Sequence, residues 1–157
     1  MKKTRILLSL LLLGLLSVAG YGQTVGTAVR HYTSPEIDGS TTGTITLGTT
    51  VTDGTVVRNF HPFAVSVTLT DVDNVLTPAV FSVGTNSAPY NNIVASTATG
   101  GILAKIKLLN LSSDLEEISE ATDIKVKIGT ACTALFGSPT CKFKVTVIGI
   151  EQVYANP

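Results

Sequence analysis

Apolar and polar side chains alternate along most of this chain, and this period of two limits its fold more than any other feature. The clearest run extends from Phe63 to Leu69 and places its odd-numbered residues on one apolar face. Alternation of the same kind, with lysines on the polar face, recurs in residues 102–108, 124–128 and 142–147. Such a pattern is typical of strands with one buried and one solvated face.

Turn-forming residues separate these runs, and weaker strand candidates lie at residues 44–47, 55–58 and 76–83. Many short strands divided by Gly, Pro, Asn and Asp are typical of two-layered β proteins. The sequence therefore predicts an all-β fold, an antiparallel β-sandwich of the jelly-roll or immunoglobulin-like kind.

Two local features modify this pattern. Ser113 and Glu116 form a capping box, and Leu115 and Ile118 can share a helical face. These residues predict one short helix that crosses between the sheets. Near the C-terminus the alternation loses its polar side after Gly149, and a glycine at such a point predicts a β-bulge.

The N-terminus has the order of a secretory signal peptide: a cationic start at Lys2 to Arg5, a leucine-rich apolar run at Ile6–Ala19, and then small residues. This order predicts export with cleavage after Gly20 or Gly22, and we favour Gly22. The apolar run is shorter than the roughly 20 residues that span a bilayer. A retained N-terminal helix, as in type IV pilins, would need a longer apolar run.

Removal of residues 1–22 leaves a length that suits one domain. We divide it into an N-terminal arm and linker at 23–42 and a β-sandwich domain at 43–157.

The full chain has 11 basic and 11 acidic residues, and loss of the three basic residues of the signal peptide leaves 8 basic against 11 acidic. No basic cluster suggests nucleic acid as a partner, and no second apolar run predicts a transmembrane segment in the mature chain. Low charge, at 14% of residues, suits a surface covered by neighbours.

Cys132 and Cys141 are the two cysteines, and both belong to the mature chain. An even count in an exported chain first indicates a disulfide. The loop between them contains Gly137 and Pro139 and separates two alternating segments. We therefore expect the bridge at the base of a hairpin, where it contributes about 2.5 kcal/mol. A metal site is the rival interpretation, but it requires more Cys or His nearby than the chain supplies.

Asp71, Asp73 and Asn74 form the best local cluster of oxygen ligands. In an extended strand Asp71 and Asp73 project to the same side, and Asn74 adds an oxygen at the turn, which suits Ca²⁺. The competing interpretation is a strand end at which Asp and Asn make turn hydrogen bonds. Calcium is the one cofactor that the sequence suggests.

A candidate ligand loop carries one aromatic residue, Tyr90, followed by Asn91 and Asn92. Tyr90 can stack on a sugar ring while the two amides bind it, although turn formation explains these residues equally well. Surface glycans are therefore a candidate partner. Asn110 begins an N-x-S sequon, which matters only if the source glycosylates exported proteins.

No catalytic constellation is apparent, and we expect the chain not to be an enzyme. His31 and His61 lie in no metal-binding spacing, and the sequence contains no nucleophile elbow, P-loop or dinucleotide-binding motif. A disulfide would also occupy the two thiols, which are the obvious nucleophiles.

Residues 23–32 form a short extended segment, which a proline and a Gly- and Thr-rich stretch at 39–43 separate from the rest. Two interpretations are open. The segment can fold back as an ordinary first strand of its own sheet, or it can complete the sheet of a second copy by strand addition. In the second case Val25, Ala28 and Val29 are the expected anchors of the donor strand.

After this arm come Gly43-Thr-Ile-Thr-Leu47, a turn at Asp53-Gly54, and Val57-Arg-Asn59 before the alternating strand that ends at Leu69. This order resembles the opening of the TasA/camelysin family of secreted fibre proteins and their archaeal bundling-pilus relatives. The resemblance covers under a quarter of the mature chain, and Ile45 stands where the family has Leu. It implies a jelly-roll-like sandwich that polymerises by giving an N-terminal strand to the next subunit.

Two functions of different classes follow from these patterns. The first is a secreted, non-enzymatic subunit of an extracellular filament or surface assembly, whose partner is a further copy of itself. The second is a cell-surface adhesin or ligand-binding sandwich, with carbohydrate bound at the Tyr90 loop or at the Asp71 and Asp73 edge. A secreted hydrolase has only its extracellular location in its favour.

Overall fold

The computed structural model of the chain describes residues 24–51, 56–99, 106–112 and 117–155. The regular structure in this part of the chain consists of β-strands. Their bounds are β1 Thr24–Thr33, β2 Ile37–Asp38, β3 Gly43–Thr49, β4 Val56–Asp73, β5 Val80–Gly84, β6 Val94–Ala98, β7 Ile106–Leu109, β8 Ile118–Ser119, β9 Asp123–Thr130 and β10 Thr140–Ala155.

These strands form two antiparallel sheets. The first has the order β1-β10-β4-β7, with β2 also pairing with β10 and β8 with β4. The second has the order β3-β9-β5-β6. The chain crosses repeatedly between the sheets, as in sandwiches with Greek-key connections. The predicted all-β antiparallel sandwich is therefore confirmed.

The core lies between the inward faces of the two sheets and is built mainly from β-branched residues at alternate strand positions. Phe81 of β5 and Phe143 of β10 join the sheets, with ring centroids 5.4 Å apart. Ile37 of β2 is fully buried with them. The other large side chains that are fully buried include Phe60, Val65, Val67, Val83, Ile93, Ile124, Val126, Val145 and Val147.

The bulge predicted at Gly149 is present, but the extra residue lies on the neighbouring strand. Ile148 pairs with Ala64 and Gly149 pairs with Pro62, so Phe63 of β4 has no partner. Phe63 was expected on the buried face of the alternating run. It is instead 52% exposed, because the bulge turns it outward.

The predicted crossover helix begins at residue 113, and residues 113–116 lie outside the described residues. Ile118, which was expected on the apolar face of that helix, lies instead in β8, where it pairs with Phe60. It is almost fully buried there. A helix of about two turns is marginal in water, whereas the extended segment buries the isoleucine against β4. Nowhere does the described part of the chain contain a helix.

The predicted signal peptide also lies outside the described residues. Within the arm and linker predicted at 23–42, both β1 and β2 pair with β10, and the division of the chain at residue 42 stays a prediction. None of the described segments is a helix of the length and apolarity that crossing a membrane requires.

Gly149 permits close contact between β10 and the aromatic ring beside it. A Cβ at this position would lie 2.4 Å from the Phe60 ring, so we expect Gly149→Ala to destabilise the fold by about 1–3 kcal/mol. Gly43→Ala is the matched control, because a Cβ there would meet nothing within 4 Å. Urea unfolding of both variants measures the difference. Equal unfolding midpoints would contradict the packing argument.

Candidate assembly surface

The N-terminal strand is docked along one edge of β10. β1 pairs from Thr24 to Thr33, with a register shift between Thr24 and Gly26, and β2 continues the pairing at Ile37. Ser34 bridges the interval: its N–H donates to the Val145 carbonyl at 2.9 Å, and its hydroxyl accepts from the Val145 N–H at 3.0 Å. In the described chain β1 completes its own sheet, as the first of the two interpretations of the arm has it. Strand addition to a second copy stays a prediction.

A buried carboxylate fixes β1 in register. Glu151 of β10 has a side chain only 3% exposed, and its Oε2 accepts from Arg30 Nε of β1 at 2.9 Å. The same oxygen accepts from Arg58 Nη1 of β4 at 3.4 Å. One acidic group therefore joins three adjacent strands. Burial of a carboxylate is favourable only when charged or polar partners surround it, so Arg30 is bound to one position of β10.

Tyr32 provides the apolar contact between β1 and the core. Its ring meets the Phe60 ring edge to face, with centroids 5.0 Å apart. Its Cδ1 lies only 2.8 Å from where a Cβ of Gly48 in β3 would stand, so the absence of a side chain there makes room for the ring. Burial, and next the negative charge of Glu151, raise the pKa of the Tyr32 hydroxyl.

These contacts differ from the anchors that the sequence suggested. Ala28 is exposed, and Val29 points away from the core with 59% of its surface exposed. The side chain of Val25 lies outside the described residues. The contacts to the rest of the sheet come instead from Arg30 and Tyr32, two residues apart on the same side of β1. The side chain of Arg30 is 45% exposed but reaches the buried Glu151. Their spacing of two is visible in the sequence, but an arginine breaks the apolar alternation that predicts a strand.

The two cysteines are brought together, but not at the base of a simple hairpin. Cys132 follows β9 of one sheet and Cys141 lies in β10 of the other, and Gly39 stands between their main chains. The Gly39 N–H donates to the Cys141 carbonyl at 2.7 Å, and the Cys132 N–H donates to the Gly39 carbonyl at 2.8 Å. Both are buried free thiols in the structure. The disulfide between them stays a prediction.

The acidic cluster at the end of β4 is arranged as a strand end. Asp71 and Asp73 share one side of the strand and are exposed, and Asp71 pairs across the sheet with Lys142. Asn74 donates its side-chain amide to the Phe136 carbonyl. In the part of the chain that the structure describes, no three His, Cys, Asp or Glu side chains are placed to hold a metal ion. Calcium binding here stays a prediction from the sequence.

The Tyr90 loop is closed by contacts within the protein. Lys125 of β9 lies over the Tyr90 ring, with its Nζ 5.5 Å from the centroid. Asn92 Oδ1 accepts from the Thr85 N–H at 2.8 Å, and Asn91 Oδ1 accepts from the Asn86 amide at 3.1 Å. The turn chemistry that the sequence offered as an alternative is therefore present, and glycan binding is an untested prediction.

The remaining predicted residues lie on the surface. Asn110 is exposed at the end of β7, and with Ala95 and Leu108 it lines a groove of about 250 Å³ between β6 and β7. Its glycosylation stays a prediction. His61 Nε2 lies 3.6 Å from a carboxylate oxygen of Glu117, and His31 lies in the exposed part of β1.

Comparison with known proteins identifies the fold but no family. No protein-family model matches the sequence, and no curated protein is detectably similar to it. Among solved structures, a chain from the capsid asymmetric unit of cyanophage Pam1 matches 87% of this chain and 91% of its own, with 13% identity and a TM-score of 0.52. A chain from the acid-stable capsid of Helicobacter pylori bacteriophage KHP30 matches 83% of this chain and 93% of its own length, with 10% identity and a TM-score of 0.47.

Loss of the Glu151 charge is expected to loosen β1. Glu151→Gln removes the negative charge that Arg30 binds at 2.9 Å, and we expect a loss of about 2 kcal/mol in the free energy of unfolding. Because Arg30 is partly exposed, the loss of stability is expected to be smaller than that caused by breaking a fully buried ion pair. Urea unfolding gives the stability, and the rate of tryptic cleavage after Arg30 reports release of the strand. Glu117→Gln is the control, because Glu117 is exposed, and a similar loss there would contradict this assignment.

The cysteine pair is expected to be chemically protected in the folded protein. Burial, and next the hydrogen bond with Cys141, raise the pKa of the Cys132 thiol to about 11. Since the thiolate is the reactive form, iodoacetamide at pH 8 should modify both thiols of the reduced protein far more slowly in the folded chain than in urea. Mass spectrometry measures the modification. Equal rates in the two states would show that the pair is accessible.

Proposed function

We propose that the protein is an exported, non-enzymatic structural subunit that assembles with further copies of itself into an extracellular filament or surface layer. We further propose that polymerisation proceeds by donation of β1 to the next copy. One observation carries the proposal: β1 is a peripheral strand whose contacts can all be made by the β1 of another copy.

The contacts of β1 support this exchange. They consist of main-chain pairing with β10, the ion pair of Arg30 with Glu151, and the packing of Tyr32 on Phe60. None depends on chain continuity beyond the short connection at Ser34-Pro35. Exchange of an identical element between copies preserves every native contact, so it is an inexpensive route to assembly. Donation adds main-chain hydrogen bonds for affinity and the side chains for register.

Three further features support an assembly role. The predicted signal peptide provides export, and the low content of charged residues suits a covered surface. The resemblance of residues 43–69 to secreted fibre proteins implies the same strand donation. A related sandwich fold occurs in a chain of a phage capsid, which is an ordered protein assembly, and this is a fold-level analogy.

Fixing β1 to its own sheet should prevent polymerisation. Thr27 and Gln152 lie directly opposite each other on β1 and β10, so Thr27→Cys with Gln152→Cys can form an intramolecular disulfide. We expect the oxidised variant to remain free of filaments under conditions in which the reduced variant forms them. Electron microscopy of the mature protein is the readout. Filaments of the oxidised variant would contradict strand donation.

Removal of the strand provides a second, independent test. We expect the mature chain without residues 23–32 to be a soluble monomer. A synthetic peptide of residues 23–32 should bind it and raise its melting temperature, because the peptide restores the pairing with β10. The same peptide with Arg30→Glu is the control and should bind at least tenfold more weakly, since it places two carboxylates together. Filaments of the truncated chain would contradict the proposal.

A further inference from the structure

The second edge of β1 presents an unpaired row of main-chain groups. The Ser34 N–H donates to Val145 of β10, and in an antiparallel ladder the direction of these groups alternates with each residue. With the observed register, the N–H and C=O groups of Thr27, Val29, His31 and Thr33 point away from β10. Among the described residues, no strand pairs with this side of β1.

This edge has few of the features that keep edge strands apart. Natural edges are protected by lysine, proline, inward-pointing charge or short length. β1 is 10 residues long, and its sequence TVGTAVRHYT contains no Pro, Lys, Asp or Glu. Arg30 is its one charge on the side of Tyr32, and that charge is bound to Glu151 of the same sheet. The one register irregularity of β1 lies at its start, between Thr24 and Gly26. As far as the described residues go, the edge from Thr27 to Thr33 is therefore open to a further strand.

The side chains next to the edge are also suited to close contact. Val29 lies directly opposite Ile150 of β10, and Ile150 lies opposite His61 of β4. Val29 and Ile150 are exposed, at 59% and 40%. This apolar pair lies at the centre of the strand, where a paired neighbour would cover it.

We propose that β1 pairs with β1 of a second copy through this outer edge, in an antiparallel arrangement centred on Val29. Two-fold pairing about Val29 places Thr27 of one copy opposite His31 of the other. Arg30 then lies opposite Ala28, so the arginines of the two copies do not face each other. The two six-stranded sheets become continuous across the contact. This pairing is isologous and closes as a dimer, so it differs from strand donation, which adds copies in one direction.

The contact is available whether β1 is bound to its own chain or to the next one. In either case the strand beside β10 has the same free edge. The inference therefore does not rest on the proposed strand donation. If both occur, donation lengthens a filament and edge pairing joins two filaments side by side.

The test uses the oxidised Thr27→Cys, Gln152→Cys chain, in which β1 cannot leave its own sheet. We expect sedimentation equilibrium to show a concentration-dependent dimer. Adding Val29→Pro removes the central N–H of each copy, one donor per copy, and should raise the dimer dissociation constant about thirtyfold. Because the Val29 N–H points away from β10, the fold should tolerate this change, as edge strands do when the N–H faces solvent.

Two variants separate edge pairing from other contacts. Val29→Lys should also weaken the dimer, since it places two lysines at the two-fold axis. It keeps the main-chain N–H of β1, so it remains informative if the proline variant does not fold. Leu76→Lys is the matched control, because Leu76 is 61% exposed in a loop away from β1, and it should leave the dimer unchanged. A monomeric oxidised chain, or a dimer that survives both Val29 substitutions, would overturn the inference. Filament formation by the reduced chain is scored separately and decides strand donation.

Discussion

Pairing along both sides of β10 is the constraint on which the rest of the structure depends. This strand has 16 residues, with β4 on one side and β1 and β2 on the other. Its inward side chains supply much of the core, and Glu151 near its end joins β1, β10 and β4. Since β1 and β2 both pair with β10, the position of β10 decides whether β1 has a place to bind. The location of the proposed assembly surface therefore follows from that of β10.

The strands themselves could be predicted because alternation is a local property of the backbone. What the sequence could not predict was register, which depends on a partner far along the chain. Phe63 fits the alternating pattern but is turned outward by a bulge that exists only in the pairing of β4 with β10. Ile118 fits a helical face but is buried in a two-residue strand. In both cases pairing with a strand far along the chain decided where the side chain lies, and local alternation of residues carries no information about that pairing.

For the candidate site residues too, local features could be predicted and long-range contacts could not. Sequence spacing correctly predicted that Asp71 and Asp73 lie on one side of a strand and that the two cysteines lie near each other. It could not show that Gly39 lies between the cysteine main chains, or that Lys125 covers the Tyr90 ring. Arg30 was missed because a charged residue in a strand is taken for a solvated one, and only its distant partner Glu151 explains its contact with β10.

The pairing of β1 with β10 also has a consequence for the time course of folding. Arg30 and Glu151 are separated by 121 residues, so the first strand of the domain must wait for the last one before it can be bound. Closing so long a loop carries an entropic cost and slows the step. Under the proposed strand donation, a neighbouring molecule that already presents its β10 competes for the unpaired strand during that interval. The outcome would then depend on protein concentration at the moment of folding, with high concentration favouring linked copies and low concentration favouring closed monomers.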